Sequence, residues 1–279
     1  MKYFIVDAFT DTPFGGNTAG VVLLEGNDFP DDGLMQDIAA ELRYSETAFV
    51  RRDGDSRYTV RYFTPKGEVE LCGHATIATF SLLHRLGLAD GPCRLRALAG
   101  ELEVTAGQHV MMQMAVPHII TTIEETKEIY NALGIRNYQP ALPVHVVSTG
   151  LPDLMIQVQT VEALNALQPD MEVIAELTRQ HEALSFHVFA FADDGYTAHV
   201  RDFAPACGVP EESATGTANA SLTHYLQRNG CIPATGDFSF LQGEAMGRPS
   251  VVATRVTTDG TIYVGGTAAV VAEGELLTE

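Results

Sequence analysis

Positive charge is scarce in this chain. Lysine and arginine number 17 against 36 aspartates and glutamates, a formal net charge of −19 over 279 residues. A surface this acidic is a poor partner for nucleic acid or for an anionic membrane face. It still leaves room for an anionic small molecule held by local donors. Long apolar runs are missing too: none has the length of a bilayer span. The start, where Lys2 leads a short strand-like run to Asp7, lacks the pattern of a secretory leader. Cysteine occurs only at Cys72, Cys93, Cys207 and Cys231, without paired spacing, which reads as reduced thiols in a cytoplasmic protein. There is no Gly-x-Gly-x-x-Gly after a strand and no Gly-rich loop ending in Lys-Ser or Lys-Thr. There is also no His-Glu-x-x-His and no paired His/Cys spacing. No nicotinamide, flavin, nucleotide or metal site is therefore expected, and Gly15-Gly16-Asn17 reads as a turn.

What is present is a globular composition, 46% hydrophobic, organised around Leu71-Cys72-Gly73-His74-Ala75-Thr76. From Gly73 to Leu86 there is no proline, and Ala75, Ile77, Ala78, Phe80, Leu82, Leu83 and Leu86 point in nearly every direction. A helix that is apolar all round is a buried helix. Gly87 is placed to close it. The pattern returns at Gly216-Thr217-Ala218-Asn219, in a second run ending at Gly230. With Gly216 laid on Gly73, Ala218 falls on Ala75, Leu226 on Leu83, Arg228 on Arg85 and Gly230 on Gly87. Upstream, Arg61-Tyr62-Phe63-Thr64-Pro65 is echoed by Arg201-Asp202-Phe203-Ala204-Pro205. Matches in one order at nearly one shift indicate an internal duplication. The expected fold is α+β, with two similar lobes, each a curled, mostly antiparallel sheet around a central buried helix. The lobes are placed at 1–117 and 118–279, with the last strand able to cross back to the first. Helices are also expected over 32–42, 122–133 and 171–181, and one strand over 261–271. A ligand is expected where the two buried helices start, because their backbone N–H groups make an anion site.

Several residues near these starts bear chemistry. Glu46 heads the apolar strand Thr47 to Val50. Desolvation there would raise its pKa and suit it to general acid/base work, though the stretch alone favours a surface carboxylate. Glu211 and Glu212 precede the second helix, where a glutamate is often a simple dipole partner. His74 feels the positive helix end and is expected neutral. Cys72 is either a thiol made acidic by the helix start or a small packing residue, and packing is the favoured reading. Its counterpart in the duplicated frame is placed at Ser213.

At these residues the chain resembles the phenazine-biosynthesis isomerase family, called PhzF-like, over nearly its full length. The resemblance rests on Asp7-Ala8-Phe9-Thr10, Ser45-Glu46-Thr47-Ala48-Phe49, Arg61 to Pro65 and Cys72 to Thr76. In the second lobe it rests on Ser148-Thr149-Gly150, Phe203-Ala204-Pro205, Glu211 to Ala218, Gln242-Gly243 and Met246-Gly247-Arg248-Pro249. It implies a fold similar to diaminopimelate epimerase and a cofactor-independent isomerase, typically a homodimer with its site between lobes. The implied substrate is a small carboxylated metabolite, cyclic or an aromatic precursor. The implied catalytic residues are Glu46, His74, Glu212 and Thr217, with Cys72, Gly73, Ser213, Thr215 and Gly216 lining the substrate. Two positions depart from the family pattern. Glu212 before Ser213 stands where Asp before Pro is usual, and Thr217 stands where serine is usual. The alternatives are a two-base racemase or epimerase using Cys72, and a non-catalytic small-acid binding protein.

Overall fold

A computed structural model describes residues 1–26, 28–136 and 138–277. It divides into two compact units. The first is Met1–Gln113 with the C-terminal segment from Gly265, and the second is Met114–Val264.

In the first unit the strand Lys2–Ala8 pairs antiparallel with both Asn17–Leu23 and Ala268–Glu275. Asn17–Leu23 runs parallel to Thr47–Gly54, with helix α1 (Asp32–Leu42) crossing between them. Thr47–Gly54 forms a hairpin with Arg57–Thr64. Arg57–Thr64 then runs parallel to Gly91–Ala97, with α2 (Gly73–Arg85) crossing between. Gly91–Ala97 turns back antiparallel on Gly100–Ala106. Parallel neighbours need such a crossover, whereas antiparallel ones need only a turn.

The second unit adds α3 (Lys127–Ala132), α4 (Val161–Asn165), α5 (Met171–Gln180) and α6 (Gly216–Arg228). Its strands repeat the order of the first. Val144–Ser148 and Pro152–Gln157 are antiparallel. Pro152–Gln157 and Ser185–Phe191 are parallel across α4 and α5, and Ser185–Phe191 and Ala198–Ala204 are antiparallel. Ala198–Ala204 and Gly236–Gln242 are parallel across α6, and Gly236–Gln242 and Ser250–Val256 are antiparallel. The duplication read from two sequence strings thus extends over six strands and two crossovers in each unit. The fold is α+β, as expected.

The two central helices are built alike. α2 buries every residue from His74 to Phe80, together with Leu82 and Leu83. α6 buries Ala218 to Thr223, Tyr225 and Leu226. Both end in the same left-handed cap. Gly87 (φ +70°) donates to the His84 carbonyl and Leu88 to the Leu83 carbonyl. Gly230 (φ +71°) and Cys231 do the same to Gln227 and Leu226. This is the double hydrogen bond of a Schellman ending. Both helices also start alike, in that neither N-cap side chain, Cys72 or Thr215, caps a backbone N–H of the first turn. In α1, α4 and α5, Asp31, Thr160 and Asp170 supply that bond.

Two expected elements differ. Only 127–132 of the expected 122–133 helix is helical, because the β-branched run His118–Ile123 pairs with Val144–Ser148 as a strand. The expected 261–271 strand is two strands, Ile262–Gly266 and Ala268–Glu275, broken at Thr267, whose carbonyl accepts from the Phe9 N–H.

Candidate active site

In the first unit, α2 and the strand beside it bring together Glu46, Cys72 and His74. Cys72 is the N-cap of α2 and His74 lies in its first turn, 5% exposed. The Cys72 Sγ is 3.3 Å from His74 Nδ1. Ser45 Oγ is 3.2 Å from His74 Nε2, and Glu46 Oε2 is 3.3 Å from the same nitrogen. The Glu46 approach is close enough for an ion pair but misses hydrogen-bond geometry, and Oε2 is buried without a hydrogen-bonding partner. The contact is therefore electrostatic. Burial holds His74 below the usual histidine pKa, and the Glu46 carboxylate opposes that shift. This direction favours the neutral ring, with burial as its main cause.

Under this cluster lies a support that the sequence did not single out. Thr76 Oγ1 donates to the Cys72 carbonyl at 2.7 Å and lies 2.6 Å from the Tyr62 hydroxyl. The threonine proton is already used, so Tyr62 donates. The N-cap backbone is thereby tied to the strand of Arg61 to Pro65.

In the second unit, Thr215 Oγ1 donates to Glu212 Oε2 at 2.8 Å. Gln242 locks this loop. It is fully buried, and its Nε2 donates to the Glu212 carbonyl (2.9 Å) and to Thr215 Oγ1 (3.0 Å). Its Oε1 accepts from the Thr215 N–H (3.1 Å) and Asn219 Nδ2 (2.8 Å). Gly243 follows at φ +81°, where a Cβ would sit 2.6 Å from the Ser213 carbonyl oxygen and 2.4 Å from that of Arg248. Only glycine admits this approach to the loop. Ser213 and Gly216 are buried and Thr217 is half-buried. The Thr217 carbonyl accepts from Thr149 Oγ1 at 3.0 Å, which assigns a task to Ser148-Thr149-Gly150. The N-cap position that Cys72 holds in α2 is held in α6 by Thr215, with Ser213 two residues earlier.

Glu211 has a different role from Glu212. Arg201 grips it through Nε and Nη2, at 2.8 and 2.9 Å, just as Arg61 grips Glu68 at 2.7 and 2.6 Å. Each arginine also lies over the phenylalanine two residues on, Phe203 at 4.9 Å and Phe63 at 5.2 Å. The repeated Arg-x-Phe string is a clamp on the segment that leads into each central helix.

A buried row beside Glu212 also escaped the sequence reading. Asp153 lies opposite Ser185, and His187 opposite Asp202, which in turn lies opposite Glu212. Ser185 Oγ is 2.8 Å from both Asp153 Oδ1 and Asp202 Oδ1, and His187 Nδ1 is 2.7 Å from Asp202 Oδ1. One hydroxyl proton cannot serve two carboxylates. For both contacts to be hydrogen bonds one of the two aspartates must carry a proton, and Asp153 is the one favoured. Burial, then the nearby Asp202 charge, pushes Asp153 well above the usual carboxylate range. Register is the only signal for such a row, and register is not written in spacing along the chain.

The family described as Phenazine biosynthesis-like protein matches residues 6–274. The Uncharacterized isomerase YddE of Escherichia coli (strain K12) is 34% identical, the match covering 100% of this chain and 99% of the relative. The Trans-2,3-dihydro-3-hydroxyanthranilate isomerase of Pseudomonas fluorescens is 34% identical, over 90% of this chain and 88% of the relative. The crystal structure of the Bacillus anthracis phenazine biosynthesis protein of the PhzF family superposes with a TM-score of 0.88. It is 26% identical and covers 100% of this chain and 99% of that one.

Proposed function

Because this chain belongs to the phenazine biosynthesis-like (PhzF) family of isomerases, we propose that it moves a proton between carbons of a small carboxylated substrate, with Glu46 as the carrier. The observation that carries this reading is Glu46 Oε2, buried, without a hydrogen-bonding partner and 3.3 Å from His74 Nε2. A carboxylate oxygen left unsatisfied beside a neutral imidazole is a base without a competing partner. Glu46 takes a proton from one carbon, and the electron pair of that C–H bond passes into the adjoining unsaturated system. The glutamic acid so formed exchanges with solvent and returns a proton at a second carbon, so the reaction needs no net acid, base or redox partner. His74 orients a polar group of the substrate. The helix start at Gly73, with no side-chain cap, favours the substrate carboxylate. In the second unit, Glu212, Thr215 and Thr217 offer further polar groups suited to a small acid, and Ser213 and Gly216 shape the start of α6.

The name of the Pseudomonas relative makes trans-2,3-dihydro-3-hydroxyanthranilate the first substrate to try. A cytoplasmic homodimer goes with this reading, supported by the family resemblance, the acidic surface and four free cysteines. The two-base cysteine racemase is the weaker reading, because the second unit offers Ser213 and Thr215 where a second thiol would be needed.

Incubation of that compound and a panel of small unsaturated acids in D2O, read by mass spectrometry, tests the assignment. Glu46→Gln keeps the shape and removes the base, so turnover and deuterium exchange fall by about a hundredfold or more. Cys72→Ala keeps most of the exchange. Loss in Cys72→Ala with exchange surviving in Glu46→Gln would reverse the roles.

A further inference from the structure

We propose that Glu46, Cys72 and His74 form a capture site for a thiophilic divalent cation of the zinc class, and that the captured cation holds the isomerase inactive. One sulfur, one imidazole nitrogen and one carboxylate oxygen from these residues lie within 4.8 Å of one another. The Nε2–Oε2 edge measures 3.3 Å and the Sγ–Nε2 edge 3.9 Å. In a tetrahedral zinc site, with zinc–sulfur near 2.3 Å and zinc–nitrogen or zinc–oxygen near 2.0 Å, such edges are about 3.3–3.6 Å. The first edge is already at that length, the second closes with a shift of a few tenths of an ångström, and the third, from sulfur to a carboxylate oxygen, lies within 4.8 Å.

The donor set selects the metal. Sulfur, imidazole and carboxylate together suit zinc and its neighbours, whereas magnesium and calcium take oxygen shells. A thiolate and a carboxylate neutralise a dication, and binding releases the Cys72 thiol proton to solvent. The start of α2 opposes a cation but favours the thiolate that binds it. Glu46 Oε2, buried and without a hydrogen bond, gains a partner. Three protein ligands leave a fourth position for water or a substrate carboxylate. Capture is independent of the reaction. Inhibition rests on the reading of Glu46 as proton carrier, since a bound dication occupies the oxygen that would take the carbon-bound proton and lowers the basicity of the carboxylate.

Only the fold assembles this set. Cys72 and His74 straddle Gly73 at the helix start, and Glu46 arrives from just before the strand Thr47–Gly54, some 26 positions earlier in the chain. Spacing along the chain offers only the short Cys72/His74 pair and misses the third donor.

The test uses the full chain, stripped with a chelator and titrated with Co²⁺ alone as the probe. One Co²⁺ per chain is expected, with a thiolate-to-cobalt charge-transfer band and the intense visible bands of a four-coordinate ion. Zinc bleaches both. Cys72→Ser removes the charge-transfer band. Glu46→Gln keeps the thiol and weakens binding by about tenfold or more. A Cys207→Ser/Cys231→Ser chain, lacking the two exposed thiols, keeps the band. Circular dichroism confirms that each variant is folded, and Glu46→Gln carries the test alone if Cys72→Ser is not. No band at stoichiometric Co²⁺, a band surviving Cys72→Ser, or affinity unchanged in Glu46→Gln overturns the capture site. In the activity arm, zinc stops turnover and chelator restores it. Cobalt bound at Cys72 with turnover undiminished would leave the capture site standing and sink Glu46 as carrier. Absence of binding with Glu46→Gln still inactive would do the reverse.

Discussion

Asp153 shows what a single buried residue does to the energetics of this fold. Its carboxyl favours the protonated form because Ser185 has one proton for two acceptors and because burial and Asp202 disfavour a second charge. In the unfolded chain the same group titrates near 3.9. The folded state thus binds a proton that the unfolded state releases between that value and the raised folded pKa. The stabilisation is fully present below the unfolded pKa and is lost as pH rises through the folded one. Denaturant unfolding from about pH 5 to about pH 9 should show the wild type losing stability relative to Asp153→Asn, whose amide N–H replaces the carboxyl proton without titrating. Equal slopes for the two would mean that Asp153 is ionised in the fold. None of this row could be read from the sequence. Asp153, Ser185, His187 and Asp202 are distant in the chain and meet only because three strands align them. Glu46 was legible in the opposite way: its place at the head of an apolar strand marked it, while its unsatisfied Oε2 required coordinates.

Elements were far more legible than contacts. α2 and α6 lie at nearly their expected bounds, because in α2 an all-round apolar pattern with glycine at the end carries both the burial and the stop, and α6 echoes it. The strand at His118–Ile123 was missed because its β-branched run lies next to a glutamate-rich stretch that reads as helix. The endings of the two central helices give a clean test. Gly87 and Gly230 sit at φ +70° and +71°, and a Cβ on either would meet nothing within 4 Å. Alanine there costs only the left-handed backbone, about 1–2 kcal/mol at each site. Gly87→Ala and Gly230→Ala should therefore lower stability by similar amounts in chemical unfolding while leaving the far-ultraviolet spectrum unchanged. A neutral result at either site would show that the cap relaxes to another conformation. Gly243→Ala would cost more, because there strain is joined by collision with two carbonyl oxygens.

For the chain as a whole, charge is the dominant long-range term. With 36 acidic and 17 basic residues, acidic groups exceed their possible partners. The basic residues are unevenly spent: Arg61 is shared between Asp32 and Glu68, and Arg201 is committed to Glu211. The excess negative charge repels itself in the compact state and weakens as salt screens it, the Debye length falling from about 30 Å at 0.01 M to about 8 Å at 0.15 M. The midpoint of thermal unfolding should accordingly rise by a few degrees across that range, roughly 1 kcal/mol for a chain of this size. Chloride and sulfate at matched ionic strength separate two contributions. Screening acts equally for both, whereas a carboxylate-like site at the uncapped start of α2 or α6 adds stability for sulfate alone. A midpoint that falls with salt would mean that paired clamps such as Arg61–Glu68 outweigh the repulsion. Equal midpoints in the two salts would count against a substrate carboxylate held at those helix starts. A sulfate excess that disappears when a small carboxylic acid is present would place both anions in the same site.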